Sequence, residues 1–395
     1  MVSLRFLTAG ESHGPQLTAI IEGMPAGIPV DPDAIDADLA RRQQGYGRGG
    51  RMAIEHDRVE ILSGVRWGET LGSPITMVVK NRDWENWRER MSVDPGFRDP
   101  AIAVTRVRPG HADLPGMVKY GHRDARNILE RSSARETAAR VAVGSLCRQF
   151  LALFDIHLIA FVRSIGSVEA TDIPQSSELL AERVASSPLF TPDPAAEQEM
   201  IRLIDHAKSA GDSLGGVVEV IVRGVPVGLG SHVQWDRKLD ARLAMALMGI
   251  QAIKGVEVGG GFAAAALPGS KVHDPIRFDR SRPRSLRDGG FYRLSNNAGG
   301  IEGGISNGED IVVRCAMKPI PTLYSPLETV DFISKSAVEA SVERSDVCAV
   351  PAASVVAEAA VSLVIADAFL EKFGGDSLAE TRRNVDSWFS YLSTL

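Results

Sequence analysis

One stretch near the C-terminal end constrains the fold more than any other. From Val347 to Leu370 the chain is apolar apart from Pro351, Ser354, Glu358, Ser362 and Asp367. A helix that is apolar on every side has no face to offer water, so it must be enclosed by a thick core or by lipid. Bilayer insertion needs about 20 apolar residues, and Glu358 and Asp367 inside the window make lipid costly. The stretch is therefore expected to be a helix buried in a large core outside any membrane. A chain of 395 residues, 44% hydrophobic and 24% charged, has the material for such a core and lacks the composition of a disordered or fibrous protein.

The elements that would surround this helix can be placed coarsely. Ser3 to Thr8 and Leu17 to Glu22 alternate as strands on either side of the polar turn Gly10, Glu11, Ser12, His13, Gly14. Asp31 and Pro32 form an N-cap and first-turn pair for a helix that runs to Gly45. Val59 to Val79 reads as strands with turns, and Asn81 to Pro109 as a long polar stretch holding Trp84 and Trp87. Ser133 and Glu136 have the spacing of a capping box at the start of a helix that continues to Phe150. Strands are expected at His157 to Val162, Val217 to Val227 and Ile311 to Met317, and a helix at Leu239 to Ile253. Lys318, Pro319, Ile320, Pro321 and Thr322 must be extended. Strands and helices in comparable number, without strict alternation, favour an α+β sandwich over a doubly wound sheet. No linker divides the chain, so residues 1–395 are expected to be a single domain. The Ser, Pro and Glu content of Ser167 to Ala196 predicts a surface excursion.

The charge balance excludes some functions. With 44 basic and 50 acidic residues, a net charge of −6, the surface is not the uniformly basic kind that nucleic acid favours. The basic residues are strongly biased, with nine Lys against thirty-five Arg, and arginine suits forked contacts with phosphate and carboxylate. Cys147, Cys315 and Cys348 lack CxxC spacing and point away from a disulfide framework or a zinc site. A reducing compartment, the cytoplasm, is expected, and Glu11 and His13 interrupt the opening residues before a signal-peptide core could form. No GxGxxG opens a helix after a strand, and no GxxxxGK precedes Ser or Thr, so neither the Rossmann nor the P-loop reading applies.

The candidate chemistry lies in loops. Arg41, Arg42, Arg48 and Arg51 cluster around a glycine-rich segment, Arg106 and Arg108 follow, then Arg131, Arg135 and Arg344. They are interleaved with Gly, Ser and His rather than with acids at helical spacing, the pattern expected of a site that grips a polyanion, although a solvated basic face would also account for them. His13 and His111 both sit beside glycine turns, where an imidazole can act as a general acid or can simply be structural. Asp346 precedes the long apolar helix and follows Arg344 by two residues, as a cap, an ion-pair partner or a base. No HxxxH or His/Cys cluster suggests a metal.

Taken together, these loops resemble the chorismate synthase family. The Gly10 to Gly14 segment with Glu22, Gly23, Met24 and Pro25 matches its first signature, Arg131 to Thr137 its second, and Arg344 to Cys348 running on to Glu358 its third. Arg41 to Arg51, Arg108 to Asp113, Gln251 to Gly259, Asn296 to Gly308 and Lys318 to Thr322 match further segments in order. The resemblance implies helices sandwiched between antiparallel sheets, a homotetramer, and conversion of 5-enolpyruvylshikimate-3-phosphate to chorismate and phosphate. That reaction is a 1,4-anti elimination, the last step of the shikimate pathway in aromatic amino acid biosynthesis, and requires reduced FMN without net redox change.

Residue by residue, the resemblance implies that Arg42, Arg48, Arg51, Arg108, Arg135 and Arg344 bind substrate anions, with Arg42 and Arg48 also credited with NADP. It implies flavin contacts from Arg131, Ser132, Ser133, Gln251, Ala252, Gly303, Lys318, Pro319, Ile320, Pro321, Thr322 and Arg344. His111 would protonate the departing phosphate and His13 the flavin, with Ser12 and Ser132 or Ser133 in support. Asp346 would tune flavin N5 as the C6 proton is lost. Reduced FMN would come from an external flavin reductase, with NADPH as an indirect reductant, and neither nucleic acid nor membrane is an expected partner. A binding module without chemistry and an NADPH-dependent flavin reductase are the competing readings.

Overall fold

The computed structural model describes residues 4–49, 56–282, 285–343 and 345–395. Alternation in the first eighty residues builds one sheet. Leu17, Ala19 and Ile21 are buried, as are Ile75, Met77 and Val79 on the strand paired with them, because period-two spacing sends every second side chain to the same face. The strands lie in the order Arg5–Ala9, Gln16–Glu22, Ile75–Lys80, Val59–Ser63, all antiparallel. A second antiparallel sheet runs Ile253–Val258, Ile311–Met317, Gly216–Arg223, His157–Ile165, Val168–Glu169.

Helices fill the space between the sheets. Thr137–Ala152 packs on the first sheet beside Pro32–Gln43, and Val350–Phe373 packs between these two helices and the second sheet. The fold is therefore α+β, with helices enclosed by antiparallel sheets. The long apolar helix is long and apolar enough to cross a membrane by composition, and 83% of its most apolar window is buried inside the protein. Its closest neighbour is the Thr137–Ala152 helix. A Cβ on Gly144 would stand 2.4 Å from Cβ of Ala359, so only glycine permits this approach. Ser362 Oγ, buried in the core, donates to Gly144 O across the helix pair and to Ala359 O within its own helix, each at 2.8 Å.

Several local readings meet the structure directly. Asp31 caps its helix by accepting from the Asp33 and Ala34 amides. Ser133 also caps, accepting from the Arg135 amide, but what it opens is a short 3-10 turn, Ala134–Glu136, ahead of the α-helix Thr137–Ala152. The reciprocal half of the capping box does not form, because the Glu136 carboxylate is taken by Thr8, Arg140 and Gln251. The helix from Leu239 stops at Met248 rather than reaching Ile253. Ala252 takes a left-handed φ of +67°, and Ile253 begins a strand. The segment 167–196 is more closely packed than a surface excursion. It carries the helix Ser177–Ser186 and places Leu180, Leu189 and Phe190 in the core, so its polar composition describes only its outer face.

This layering brings the chemical loops to one end of the sandwich. The turn after the first strand, the loop 44–49 and the N-terminus of Val350–Phe373 meet there, and Gly47 O accepts from Val347 N to tie the last two together.

Candidate active site

Those loops line a cavity of about 1140 Å³. Two histidines on separate loops line it, and each is backed by a buried carboxylate. Gly10, at φ +111°, makes the turn that carries Ser12 and His13. Glu130, on the helix Arg126–Ser132, receives the His13 amide at 2.8 Å and pairs with His13 Nδ1 at 2.8 Å, while its carbonyl holds the Ser12 amide at 3.0 Å. The ring stacks on Trp87 at 4.0 Å between centroids. Burial would raise the Glu130 pKa, but the hydrogen bonds and charge of His13, with Arg126, hold it below the ordinary value.

His111 is fixed in the same manner. Asp113 opens the helix Asp113–Tyr120, where the helix dipole favours a negative charge, and its Oδ1 lies 2.5 Å from His111 Nδ1. The same carboxylate receives Arg108 through Nε at 2.8 Å and Nη2 at 3.1 Å, and Arg108 Nη1 donates to Thr322 Oγ1 at 3.2 Å. Burial works against the Asp113 charge, yet His111 and Arg108 together hold this group well below the usual carboxylate range.

The inner wall is rich in arginine. Arg135 Nη1 contacts both oxygens of Asp57 at 2.7 Å, and its Nε donates to Asn81 Oδ1 at 2.8 Å. Arg42 spends Nε on Thr137 Oγ1 and Nη2 on Ala134 O, while Nη1 is buried without a hydrogen-bond partner, 3.6 Å from Asp57. Burial, reinforced by Arg135 and Arg48 against the pull of Asp57, brings the Arg42 pKa down to about 10. Arg48 pairs with Asp346 at 3.0 Å, and the Gly49 amide donates to Asp346 Oδ1 at 2.6 Å. This cluster holds a surplus of positive charge before any ligand arrives.

The cavity brings together Ser12, His13, Arg42, Arg48, Arg108, His111, Ser132, Ser133, Arg135, Gln251, Ala252, Lys318, Ile320, Pro321, Thr322 and Asp346 from the residues singled out in the sequence. Ser133 donates to Ser12 Oγ at 3.1 Å, whereas Ser132 donates back to Ile128 O. Arg131 turns away from the cavity to hold Thr8 O and Gly10 O. Pro319 does not line the cavity, and Gly303 lies in the hairpin of Ile301–Glu302 and Ile305–Ser306. That hairpin caps the N-terminal end of the helix Leu239–Met248, whose other end reaches the cavity, a separation of about 15 Å along the helix. Arg51 and Arg344 lie outside the described residues.

The lining suits a flavin nucleotide. Met248, Ile250, Met317, Ile320 and Pro321 supply apolar surface for a flat ring system, and Gln251 Oε1 is a buried acceptor without a partner. An acceptor in that state needs a donor from a ligand, and the ring N–H groups of a flavin are such donors. Lys318 Nζ gives one proton to Gly110 O at 3.0 Å and retains two for an anion.

A sequence model described as chorismate synthase matches residues 4–370. This chain belongs to the chorismate synthase family. A chorismate synthase of Geobacter metallireducens is 66% identical over 389 residues, covering 98% of this chain and 99% of its own. One of Pelobacter propionicus is 67% identical over 392 residues, covering 99% and 100%. A crystal structure of chorismate synthase superposes with a TM-score of 0.79 at 45% identity and full coverage of both chains.

Sequence reasoning missed several groups that this site contains. Glu130 and Asp113 were not singled out, and nor were Trp87, Arg90 or Lys254 as lining residues. Asp113 had a readable signal, two residues beyond His111 at the start of a helix. Glu130 had none, because it meets His13 across 117 residues of chain.

Proposed function

We propose that the chain converts 5-enolpyruvylshikimate-3-phosphate to chorismate and phosphate with reduced FMN as cofactor. The observation that carries this reading is the pair of carboxylate-backed histidines facing one arginine-lined cavity large enough for a flavin and a second ligand. The substrate presents one phosphate and two carboxylates, and Arg42, Arg48, Arg108 and Arg135 line the cavity with the opposite charge. Reduced FMN, held by the lining that Gln251, Ala252, Lys318 and Ile320 to Thr322 supply, would provide transient electron transfer to the substrate without net redox change.

The chain's own residues manage protons and position. Asp113 engages Nδ1 of His111, which assigns proton exchange with a ligand to Nε2, and this atom delivers the proton that the departing phosphate takes. Arg108, on the same carboxylate, remains beside the phosphate as its charge grows. His13, set against Glu130 in the equivalent way, is the second proton-transfer group of the same cavity. Ser12 and Ser133 fix that loop to the helix behind it. Asp346, anchored by Arg48 and the Gly49 amide, would assist as the C6 proton is lost. We read the active form as a homotetramer, and NADPH as reaching the reaction only through an external flavin reductase.

The test is anaerobic. Purified protein with 5-enolpyruvylshikimate-3-phosphate and chemically reduced FMN is expected to release chorismate and phosphate in equal amounts. Oxidised FMN with NADPH is expected to give neither. Product in the second tube would overturn the external-reductase reading, and no product in either tube would reduce the protein to a binding module.

A further inference from the structure

We propose that Lys254 is a ligand for the phosphate of the bound flavin nucleotide, acting as a pair with Lys318. The inference rests on the cofactor reading above and goes beyond the residues the family resemblance supplies. It starts from an irregularity in the second sheet. Pairing between Ile253–Val258 and Ile311–Met317 runs Ile253 to Met317 and then Gly255 to Ala316, so Lys254 is an extra residue without a partner. A bulge of this kind re-aims the side chain it carries, and bulges gather next to active sites for that reason.

The residue two positions earlier is also unusual. Ala252 holds φ at +67°, and its carbonyl accepts from the Lys318 amide at 2.9 Å. Left-handed backbone at a residue with a Cβ is costly and persists only where surrounding contacts impose it. Lys254, on the bulge, and Lys318, directly after the neighbouring strand Ile311–Met317, both line the cavity.

Charge gives the pair its meaning. Among the described residues neither lysine has an ion-pair partner, whereas Arg42, Arg48, Arg108 and Arg135 each have a carboxylate close by. Burial and the neighbouring Lys254 charge both lower the Lys318 pKa, so the two ammonium groups are close enough to repel. Two compact like charges near each other, neither in an ion pair among the described residues, suit a phosphate monoester dianion. Both the nucleotide and the substrate carry such a group. The apolar surface beside the lysines, Ile250, Met317 and Ile320, favours the nucleotide, whose ring needs that surface.

Comparison of FMN with riboflavin isolates the phosphate. Binding of each oxidised flavin would be followed by fluorescence in the absence of substrate, for the wild type, Lys254→Gln and Lys254→Arg. The expected result for Lys254→Gln is a loss of about 10- to 100-fold in FMN affinity, the worth of one hydrogen bond to a charged group, with riboflavin affinity unchanged. Lys254→Arg, which keeps the charge, should keep most of the preference for FMN. FMN affinity within twofold of wild type in Lys254→Gln would overturn the proposal. So would an equal loss for both flavins, which would make the lysine a structural part of the bulge. Intact flavin binding with weakened substrate binding would reassign the pair to the substrate's phosphate. A wild-type protein that binds neither flavin would overturn the cofactor reading and this assignment together.

Discussion

Arg41 and Arg42 are neighbours on one helix, yet they enter two arginine clusters built on opposite terms. Arg41 joins Arg148, Asp38 and Glu358 in a closed set of two cations and two anions that ties together the helices Pro32–Gln43, Thr137–Ala152 and Val350–Phe373. Burial lowers its pKa, but Glu358 and then Asp38 outweigh that and raise it above the ordinary arginine value. Arg42, one residue on, reaches the cavity, where burial and two further arginines bring its pKa down and its Nη1 has no hydrogen-bond partner. The first cluster is complete in the protein alone. The second carries more positive than negative charge in the protein alone, Arg42, Arg48 and Arg135 against Asp57 and Asp346, so the balance of charge, rather than arginine number, separates the two.

The largest expected effect lies on the cavity side. His111→Ala removes the proposed proton donor to the phosphate, and turnover should fall by about 100- to 10,000-fold, while FMN affinity and melting temperature stay near wild type. Equal losses in turnover and flavin affinity would remove His111 from the role of acid. Steady-state assays with reduced FMN, alongside a flavin titration, separate the two outcomes.

The adjacent arginines allow the comparison itself to be broken. Arg42→Ala should cut kcat/KM by about 10- to 100-fold, the value of hydrogen bonds to a charged ligand, and leave stability unchanged or slightly raised because a desolvated cation is gone. Arg41→Ala should do the reverse, lowering the melting temperature while kcat/KM stays within about twofold. If both variants lose activity alike, the division between the clusters does not hold.

How far this division was legible in the sequence depends on distance along the chain. The helix Val350–Phe373 could be read because a stretch with no polar face has few possible environments. The turns holding Ser12, His13 and His111 could be read because glycine and histidine lie within a few residues of one another. Asp57 and Glu130 could not, since the partners that give them meaning, Arg135 and His13, stand 78 and 117 residues away. Glu136 shows the same limit from the other side. Its local spacing with Ser133 promised a cap, and long-range contacts with Thr8 and Gln251 claimed the carboxylate instead. Lys254 depends on a bulge, which no pattern of side chains in one strand reveals.

Glu358→Ala tests the closed cluster by removing one of its two anions. Both arginines would then share Asp38 alone. They are each 30% exposed, so the cost should sit at the low end for a broken buried pair, about 3 kcal/mol. The shift in urea midpoint at constant slope measures it, with kcat/KM expected to remain near wild type. A stable variant with impaired turnover would mean that the cluster communicates with the cavity and that the two regions are not independent.

The smallest effect concerns acid pH and the carboxylate behind His111. Because the Asp113 pKa is depressed in the folded protein, its contribution to stability is fully present above the ordinary Asp value of 3.8 and is lost as the pH falls below that value. Asp113→Asn should therefore be less stable than wild type at neutral pH, and the difference should narrow as the pH drops below about 4. Melting temperatures measured from neutral pH downward would show two curves that converge on the acid side. Parallel curves would mean that Asp113 does not gain its charge-dependent stability from Arg108 and His111. The carboxylate would then orient the imidazole by shape alone, and the cavity end of the molecule would owe less to charge than its arginines suggest.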